Sequence, residues 1–185
     1  MEIVTEGSDL FSFQAIEPRI CLVLRQELER IKDWSVSTTG SAPEKRWFLP
    51  DYRNSSQIRV QSVGEILLHY RKTVDKIIKR VAELCWEHPY LSDHDDALLI
   101  RYPPGGLFKR HIDYAPGAVA KVRVLSFVCY LNDDFTGGRT TFPRQKCSIQ
   151  PATGRAILFP AGITHPHLAE EVLAGTKYVL VGWLS

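Results

Sequence analysis

The chain has 185 residues, of which 44% are hydrophobic and 24% charged, and its formal net charge at pH 7 is +2. This length suits one compact domain with a sizeable core, and the composition excludes a disordered or fibrous chain. The nearly balanced charge lacks the basic excess typical of a dedicated nucleic-acid-binding domain. No apolar run approaches the roughly 20 residues of a membrane helix, and the N-terminus lacks the blocks of a signal peptide. The sequence therefore predicts a soluble, cytoplasmic protein.

The four cysteines, at positions 21, 85, 129 and 147, include no CxxC pair. In a chain without a secretion signal, this pattern predicts buried thiols rather than disulfides or zinc ligands. Neither of the glycine-rich patterns GxxxxGK[ST] and GxGxxG occurs, which excludes the nucleotide-binding sites built on them.

The first half of the chain shows two helical patterns. Pro18 suits the first turn of a helix, and apolar residues follow it at helical spacing as far as Ile31. Ser62 and Glu65 form a capping-box pattern, after which apolar residues recur at steps of three and four as far as Cys85. Residues 35–60 between these helices are rich in Ser, Thr, Pro and Arg and predict a loop or short strands.

From residue 97 onward the pattern indicates β-structure. Short β-branched or apolar runs are separated by turn residues, and they predict strands at 97–102, 121–131, 139–142, 155–160 and 177–184. We therefore predict an α+β fold, a double-stranded β-helix (jelly roll) with supporting N-terminal helices on one face. The predicted domain spans residues 1–185, with mostly helical support in 1–96 and the jelly-roll core in 97–185.

The motif His111-Ile112-Asp113 is a candidate metal site. On a strand, residues i and i+2 point to the same face, with Cα atoms about 6.5 Å apart, so both side chains can reach one ion. A second histidine from another strand would complete a 2-His-1-carboxylate triad with open positions for non-haem Fe(II) chemistry. Because the HxD pattern also arises by chance, its weight depends on the surrounding residues.

Those surrounding residues carry a family resemblance. Tyr102-Pro-Pro-Gly-Gly precedes the HxD motif, Arg123 lies seven residues before Tyr130, and Gly137-Gly-Arg-Thr140 follows. Farther along the chain come His167, Gly175, Lys177 and Trp183. This order and spacing resembles the Fe(II)- and 2-oxoglutarate-dependent dioxygenases, most closely the prolyl-4-hydroxylase-like branch, over about residues 97–185.

The resemblance implies the metal ligands. His111 and Asp113 match the first two iron ligands of the family. The third histidine of this branch lies ten residues before the basic residue that binds 2-oxoglutarate, with a glycine two before that residue. Counting back from Lys177 gives His167 as the third ligand, and Gly175 falls at the glycine position. His165 would share the face of His167 on a strand and remains the alternative.

The resemblance also implies how 2-oxoglutarate and the substrate are bound. Lys177 would pair with the distal carboxylate of 2-oxoglutarate, and Tyr102, Tyr130 and Thr140 would donate hydrogen bonds to it. The alternative for these three hydroxyl groups is a place in the core or on a strand. Trp183 resembles an aromatic residue that walls the iron site. Arg123 matches an arginine that faces the substrate, with a structural, salt-bridged arginine as the alternative.

The implied activity is hydroxylation of an unactivated C–H bond with Fe(II), 2-oxoglutarate and O₂, releasing succinate and CO₂, with ascorbate as a candidate reductant. Because the chain has Asp113 where related halogenases have a small residue, we expect hydroxylation rather than halogenation. An amino-acid side chain, free or in a peptide, is the expected substrate, with proline first. The alternatives are another small molecule, a nucleic acid (which the charge balance disfavours), or a non-catalytic jelly-roll binding protein. No membrane partner is expected, and the oligomeric state does not follow from the sequence.

Overall fold

The computed structural model describes residues 2–39, 47–60, 65–86, 97–114 and 122–185. Within the second helix, the side chains of residues 65–71 and 73 lie outside this description.

Two helices occupy the positions predicted from the periodicity. Helix α1 spans Pro18–Arg30 and helix α2 spans Glu65–Trp86. Pro18 begins α1 because its ring presets a helical φ and its missing N–H would have no partner in the first turn. The predicted capping serine of α2, Ser62, lies outside the described residues. Within the described ranges, neither helix is long and apolar enough to span a membrane.

Fifteen strands are described, and all their pairings are antiparallel. In chain order they are β1 (Ile3–Gly7), β2 (Leu10–Gln14), β3 (Ser35–Val36), β4 (Arg53–Asn54), β5 (Ser56–Arg59), β6 (Leu98–Tyr102), β7 (Leu107–His111), β8 (Leu125–Tyr130), β9 (Thr136–Gly137), β10 (Thr140–Phe142), β11 (Cys147–Ile149), β12 (Arg155–Pro160), β13 (His167–Ala169), β14 (Val172–Ala174) and β15 (Lys177–Leu184). The α+β class and the strands expected in the second half are thus confirmed. The hairpin β1–β2 was not predicted, and it pairs with the core through β12.

The strands form two main sheets. The large sheet has the order β1-β2-β12-β8-β15-β6-β5-β3, and the small sheet has the order β11-β10-β13-β7-β4. A two-stranded ribbon joins β14 and β9. Both helices pack over the outer face of the large sheet, and its inner face contributes to a second apolar cluster shared with the small sheet. The helical layer on one face of a β-sandwich agrees with the predicted architecture.

Strand β15 shows how the large sheet separates these two clusters. All eight of its residues are buried, and alternate side chains point to opposite faces. Tyr178 and Leu180 join the cluster under the helices, whereas Val179, Val181 and Trp183 join the cluster between the sheets. Lys177 lies on the same face of β15 as Val179, Val181 and Trp183. The strand therefore directs its ammonium group between the two sheets.

Candidate metal and 2-oxoglutarate centre

Three potential metal ligands converge at one end of the small sheet. His111 ends β7, Asp113 follows two residues later, and His167 begins β13. His111 Nε2 lies 3.6 Å from Asp113 Oδ1, and His167 Nε2 lies 3.9 Å from Asp113 Oδ2. One potential ligand atom from each residue lies within 4.8 Å of the others, and no second such cluster occurs among the described residues.

A β-bulge in strand β7 directs its histidine toward this cluster. His111 pairs with His167 and Phe108 pairs with Ala169, so three steps along β7 oppose two steps along β13. In a regular strand, residues three apart face opposite sides of the sheet. The extra residue therefore puts Phe108 and His111 on the same face, where their rings stack with centroids 3.5 Å apart.

Asp113 is placed differently from the sequence prediction. The sequence analysis placed His111 and Asp113 two residues apart on one regular strand. In the structure, β7 ends at His111, so Asp113 lies beyond the strand. Instead, the Asp113 amide donates a 3.1 Å hydrogen bond to Ala161 O, and its carbonyl accepts a 3.2 Å hydrogen bond from Arg123 Nη1. These two contacts hold the carboxylate beside both histidines without a β-ladder.

The hydrogen bonds of the two ligand histidines define their tautomers. His111 Nδ1 lies 2.8 Å from Lys109 O, and His167 Nδ1 lies 3.1 Å from His165 O. A carbonyl oxygen can only accept, so each Nδ1 carries a proton, and in the neutral form of each ring the lone pair is on Nε2, facing the cluster. Such hydrogen bonds are the usual means of orienting metal-bound histidines.

The choice between His165 and His167 follows from the same reasoning. His165 Nε2 lies 2.8 Å from Ser8 O, and its Nδ1 lies 3.0 Å from Thr164 Oγ1. Both ring nitrogens of His165 are therefore engaged away from the metal cluster. Because β13 begins only at His167, the two histidines do not share a strand face.

The electrostatics of the cluster suit a divalent cation. Burial raises the pKa of the Asp113 carboxyl, but the neighbouring histidines lower it more, so its pKa lies well below the usual range. Burial lowers the pKa of His167 to about 4. At neutral pH the cluster thus offers one carboxylate and an uncharged His167 imidazole, and no proton on His167 or Asp113 competes with the metal.

Lys177 lies in a second polar cluster between the sheets. It is 2% exposed, and its ammonium donates a 2.6 Å hydrogen bond to Gly138 O. No carboxylate within the described ranges forms an ion pair with it, and burial lowers its pKa to about 7 against a smaller opposing effect of Glu170. Gly138 has a φ of 64°, and a Cβ there would lie 2.9 Å from Phe135 Cε2, 3.1 Å from Val172 Cγ2 and 3.3 Å from Lys177 Cδ. Glycine therefore suits both the backbone conformation and the close packing of these three side chains.

Two tyrosine rings lie near the Lys177 ammonium, and a threonine is hydrogen-bonded to one of them. Tyr102 is the cross-strand partner of Lys177, and the rings of Tyr102 and Tyr130 both lie with centroids 5.4 Å from Nζ. Tyr130 donates a 2.8 Å hydrogen bond to Thr140 Oγ1. The structure therefore brings together the four residues predicted from the resemblance to bind 2-oxoglutarate, and their binding role remains a prediction.

Arg123 and Trp183 lie beside the metal cluster. The Arg123 guanidinium stacks on Trp183, with Cζ 3.5 Å from the ring centroid, while its Nη1 contacts the Asp113 carbonyl. Trp183 is buried, and Arg123 is half-buried. This contact gives Arg123 a structural role at Asp113, and the predicted contact of Arg123 with substrate remains a prediction.

Two residues at the site were missed by the sequence analysis. Phe108 stacks on His111. The guanidinium of Arg53 lies over the ring of Phe108, with Cζ 4.5 Å from the ring centroid. Arg53 reaches the site because β4 pairs with β7. Phe108 lies three residues before His111, a spacing that indicates a shared face only when a bulge is present.

The matches to known proteins agree with this geometry. Residues 97–185 match the family described as the 2OG-Fe(II) oxygenase superfamily. We therefore assign residues 97–185, the part of the chain that carries both clusters, to the 2OG-Fe(II) oxygenase superfamily. It is 30% identical over 109 residues to prolyl 4-hydroxylase subunit alpha-1 of Gallus gallus, a match covering 51% of this chain and 21% of that protein. The chain thus spans about a fifth of the length of this curated relative.

Solved structures show the same fold. A viral collagen prolyl hydroxylase from Paramecium Bursaria Chlorella virus-1, in its 2OG complex, superposes with a TM-score of 0.68 at 20% identity, covering 96% of each chain. A Trichoplax adhaerens prolyl hydroxylase in complex with a hypoxia inducible factor peptide fragment gives a TM-score of 0.74 at 19% identity, covering 95% of this chain and 83% of that one. The predicted jelly roll and the prolyl 4-hydroxylase-like resemblance are confirmed.

Fe(II) and 2-oxoglutarate are the cofactors typical of this family, and the two clusters fit them. His111, Asp113 and His167 form the 2-His-1-carboxylate set that leaves positions open for further ligands of non-haem Fe(II). The buried Lys177 ammonium has the charge to complement a carboxylate of 2-oxoglutarate.

Proposed function

We propose that this protein is an Fe(II)- and 2-oxoglutarate-dependent hydroxylase of an amino-acid side chain, with a prolyl residue of a peptide as the first candidate substrate. The observation that carries the proposal is the convergence of His111, Asp113 and His167, with a buried lysine in the neighbouring cluster. The names of the similar proteins, several of them prolyl hydroxylases, support the choice of residue. One of those structures contains a bound peptide fragment, which supports a peptide substrate.

When bound, Fe(II) and 2-oxoglutarate together activate O₂ for C–H hydroxylation, in which one oxygen atom enters the substrate and the other enters succinate, with loss of CO₂. The chain supplies the ligands, their orientation and the electrostatics. The Nδ1–H groups of His111 and His167 are donated to carbonyls, and this orients both rings with Nε2 toward the metal position. Asp113 contributes the one negative charge, and Arg123 holds its main chain in place.

Lys177 would hold the distal carboxylate of 2-oxoglutarate. A charged lysine between the sheets is costly without a partner, and a carboxylate supplies both the charge and the hydrogen-bond acceptors. Tyr102, Tyr130 and Thr140 offer additional hydroxyl donors close to the ammonium. The apolar side chains of the inter-sheet cluster surround these groups and exclude bulk water.

The proposal is tested by incubating the Fe(II)-loaded protein with 2-oxoglutarate, O₂ and ascorbate in the presence of proline-containing peptides. Each peptide is paired with a control in which alanine replaces proline, and free amino acids form a third set. We expect succinate release and the gain of one oxygen atom on the prolyl residue, measured by mass spectrometry. Asp113→Ala should abolish both, because it removes the only anionic ligand of the triad.

Several outcomes would contradict the proposal. Oxidation of free amino acids but of no peptide would refute a peptide substrate. Incorporation of chlorine instead of oxygen would refute hydroxylation. A protein that binds Fe(II) and 2-oxoglutarate but oxidises none of the peptides would refute the prolyl assignment, and oxidation of a nucleic acid would support the alternative class.

A further inference from the structure

The segment that leads into β13 contains a buried histidine with no place in the metal cluster. His165 is 2% exposed. A polar side chain that is buried this deeply usually has a structural or chemical role. Its ring packs near Phe142 and Phe159, with centroids 6.4 and 6.5 Å away. The same two phenylalanines contact the ring of His167. His165 and the iron ligand therefore share one set of neighbours.

The side chain of His165 is fixed by the N-terminal hairpin. Its Nε2 lies 2.8 Å from the carbonyl oxygen of Ser8, a residue in the turn between β1 and β2. Because that oxygen can only accept, Nε2 carries the proton. Nδ1 then accepts the hydroxyl hydrogen of Thr164 across 3.0 Å. His165 is thus in the opposite tautomer to His167.

The main chain of His165 is bonded to the metal ligand. Its carbonyl accepts the Nδ1–H of His167 across 3.1 Å, which keeps the His167 lone pair on Nε2. The next residue is Pro166, which has no N–H, so the carbonyl is the only hydrogen-bonding group of the peptide unit joining residues 165 and 166. No amide hydrogen bond can therefore fix the orientation of this peptide unit.

Other contacts of the segment end before this peptide unit. Arg144 Nη1 donates to Ile163 O across 2.8 Å, and Gln145 Nε2 donates to Thr164 O across 3.0 Å. The amide of His165 donates to Gly162 O, but this amide belongs to the preceding peptide unit. The ring of His165 is therefore the element best placed to fix the carbonyl that His167 uses.

We propose that His165 is a positioning residue that couples the β1–β2 turn to the iron ligand His167. Through its hydrogen bond to Ser8, it holds its own carbonyl in the orientation that sets the tautomer and ring plane of His167. This inference depends on the iron centre and not on the identity of the substrate. Changing a hydrogen-bond partner of a metal-bound histidine typically lowers metal affinity by about 10- to 100-fold.

The test compares His165→Phe with His165→Gln. Phenylalanine preserves the ring packing but removes the donor to Ser8, whereas the glutamine amide can replace that donor. We expect the Phe variant to bind Fe(II) about tenfold more weakly in a competition assay with a chelator. Its Co(II)-loaded form should also show shifted visible absorption bands. The Gln variant should restore both properties to near the wild-type values.

A control variant separates this effect from a general loss of stability. Ser12→Ala alters the same hairpin by removing the hydroxyl that bonds Glu6 and Arg155, and it leaves His165 untouched. It should lower the unfolding midpoint without changing Fe(II) affinity. Wild-type affinity and absorption in the Phe variant, or an equal loss of affinity in Ser12→Ala, would overturn the proposal.

The tautomers can also be measured without any variant. Long-range ¹H–¹⁵N correlation spectra of the metal-free wild-type protein distinguish protonated from unprotonated ring nitrogens. We expect protonation of Nε2 in His165 and of Nδ1 in His167. The reverse tautomer at either residue would overturn the proposal, even if the Phe variant failed to fold.

Discussion

At the residue scale, the buried position of Lys177 lowers the pKa of its ammonium group. The ammonium is buried between two tyrosine rings and donates to one carbonyl oxygen, Gly138 O. Burial lowers its pKa to about 7, so near neutral pH a substantial fraction is uncharged. A bound carboxylate favours the charged form and raises this pKa. Binding of 2-oxoglutarate at Lys177 would therefore be accompanied by proton uptake.

This linkage predicts how the affinity for 2-oxoglutarate depends on pH. Below about pH 7 the free lysine is already protonated, and its contribution to affinity is constant. As the pH rises above about 7, binding requires an additional proton, so affinity should fall by up to about tenfold per pH unit. Anaerobic titration of the Fe(II)-loaded protein, followed by its visible charge-transfer band, measures this dependence.

Lys177→Arg is the matched control for the pH dependence. A guanidinium remains charged throughout this range, so any pH dependence that originates at residue 177 should disappear in the variant. If the wild-type affinity is independent of pH between 6.5 and 8.5, or if the variant shows the same dependence, Lys177 does not bind the carboxylate in the proposed way.

At the element scale, strand β15 lies inside the large sheet and is buried along its whole length. It pairs with β6 on one side and β8 on the other, and all its residues are buried. Gly182 lies directly across from Phe127 of β8. A Cβ at position 182 would lie 2.4 Å from two atoms of the Phe127 ring, so glycine is required here by this close approach.

This contact predicts the cost of adding one methyl group to β15. Gly182→Ala should lower the free energy of unfolding by about 1–3 kcal/mol, because the ring of Phe127 must shift within a packed core. Gly162→Ala is a matched control, since a Cβ at Gly162 meets no atom within 4 Å. Urea denaturation measures both variants, and equal stabilities would contradict the packing described here.

Among the secondary-structure elements, the helices follow from the local spacing of apolar residues, whereas the bulge in β7 does not. The periodicity of residues 18–31 and 63–85 predicts both helices, because each helix buries one face determined by local spacing. The bulge in β7 is set by the pairing with β13, and it reverses the faces that regular alternation would assign. Phe108 was missed for this reason, and Arg53 was missed because it reaches the site through strand pairing.

At the scale of the whole molecule, the large sheet separates the apolar cluster under the helices from the cluster beside the metal ligands. Its outer face carries the cluster formed with both helices, and its inner face carries the cluster that contains Tyr102, Tyr130 and Trp183. Ile78 is fully buried in the helical cluster. The metal ligands contact residues of the inner cluster, such as Phe142 and Phe159.

This separation predicts that a cavity under the helices affects folding but not the metal site. Ile78→Ala should lower the free energy of unfolding by about 2–5 kcal/mol, and Ile78→Val by about 0.5–1.5 kcal/mol. Fe(II) affinity, measured under conditions where each variant is fully folded, should equal that of the wild type. A loss of affinity that follows the size of the cavity would show that the two clusters are coupled.

The sequence by itself determined the α+β class and both helices, and it predicted His111, Asp113 and His167, which the structure brings together, as the iron ligands. Periodicity is a local property, and the family motifs have fixed spacings along the chain, so both are readable without coordinates. Only the tertiary structure decided between His165 and His167, placed Asp113 beyond the end of β7, and joined the β1–β2 turn to the metal site. These features depend on hydrogen bonds and strand pairings between residues far apart in the chain, which neither local periodicity nor motif spacing specifies.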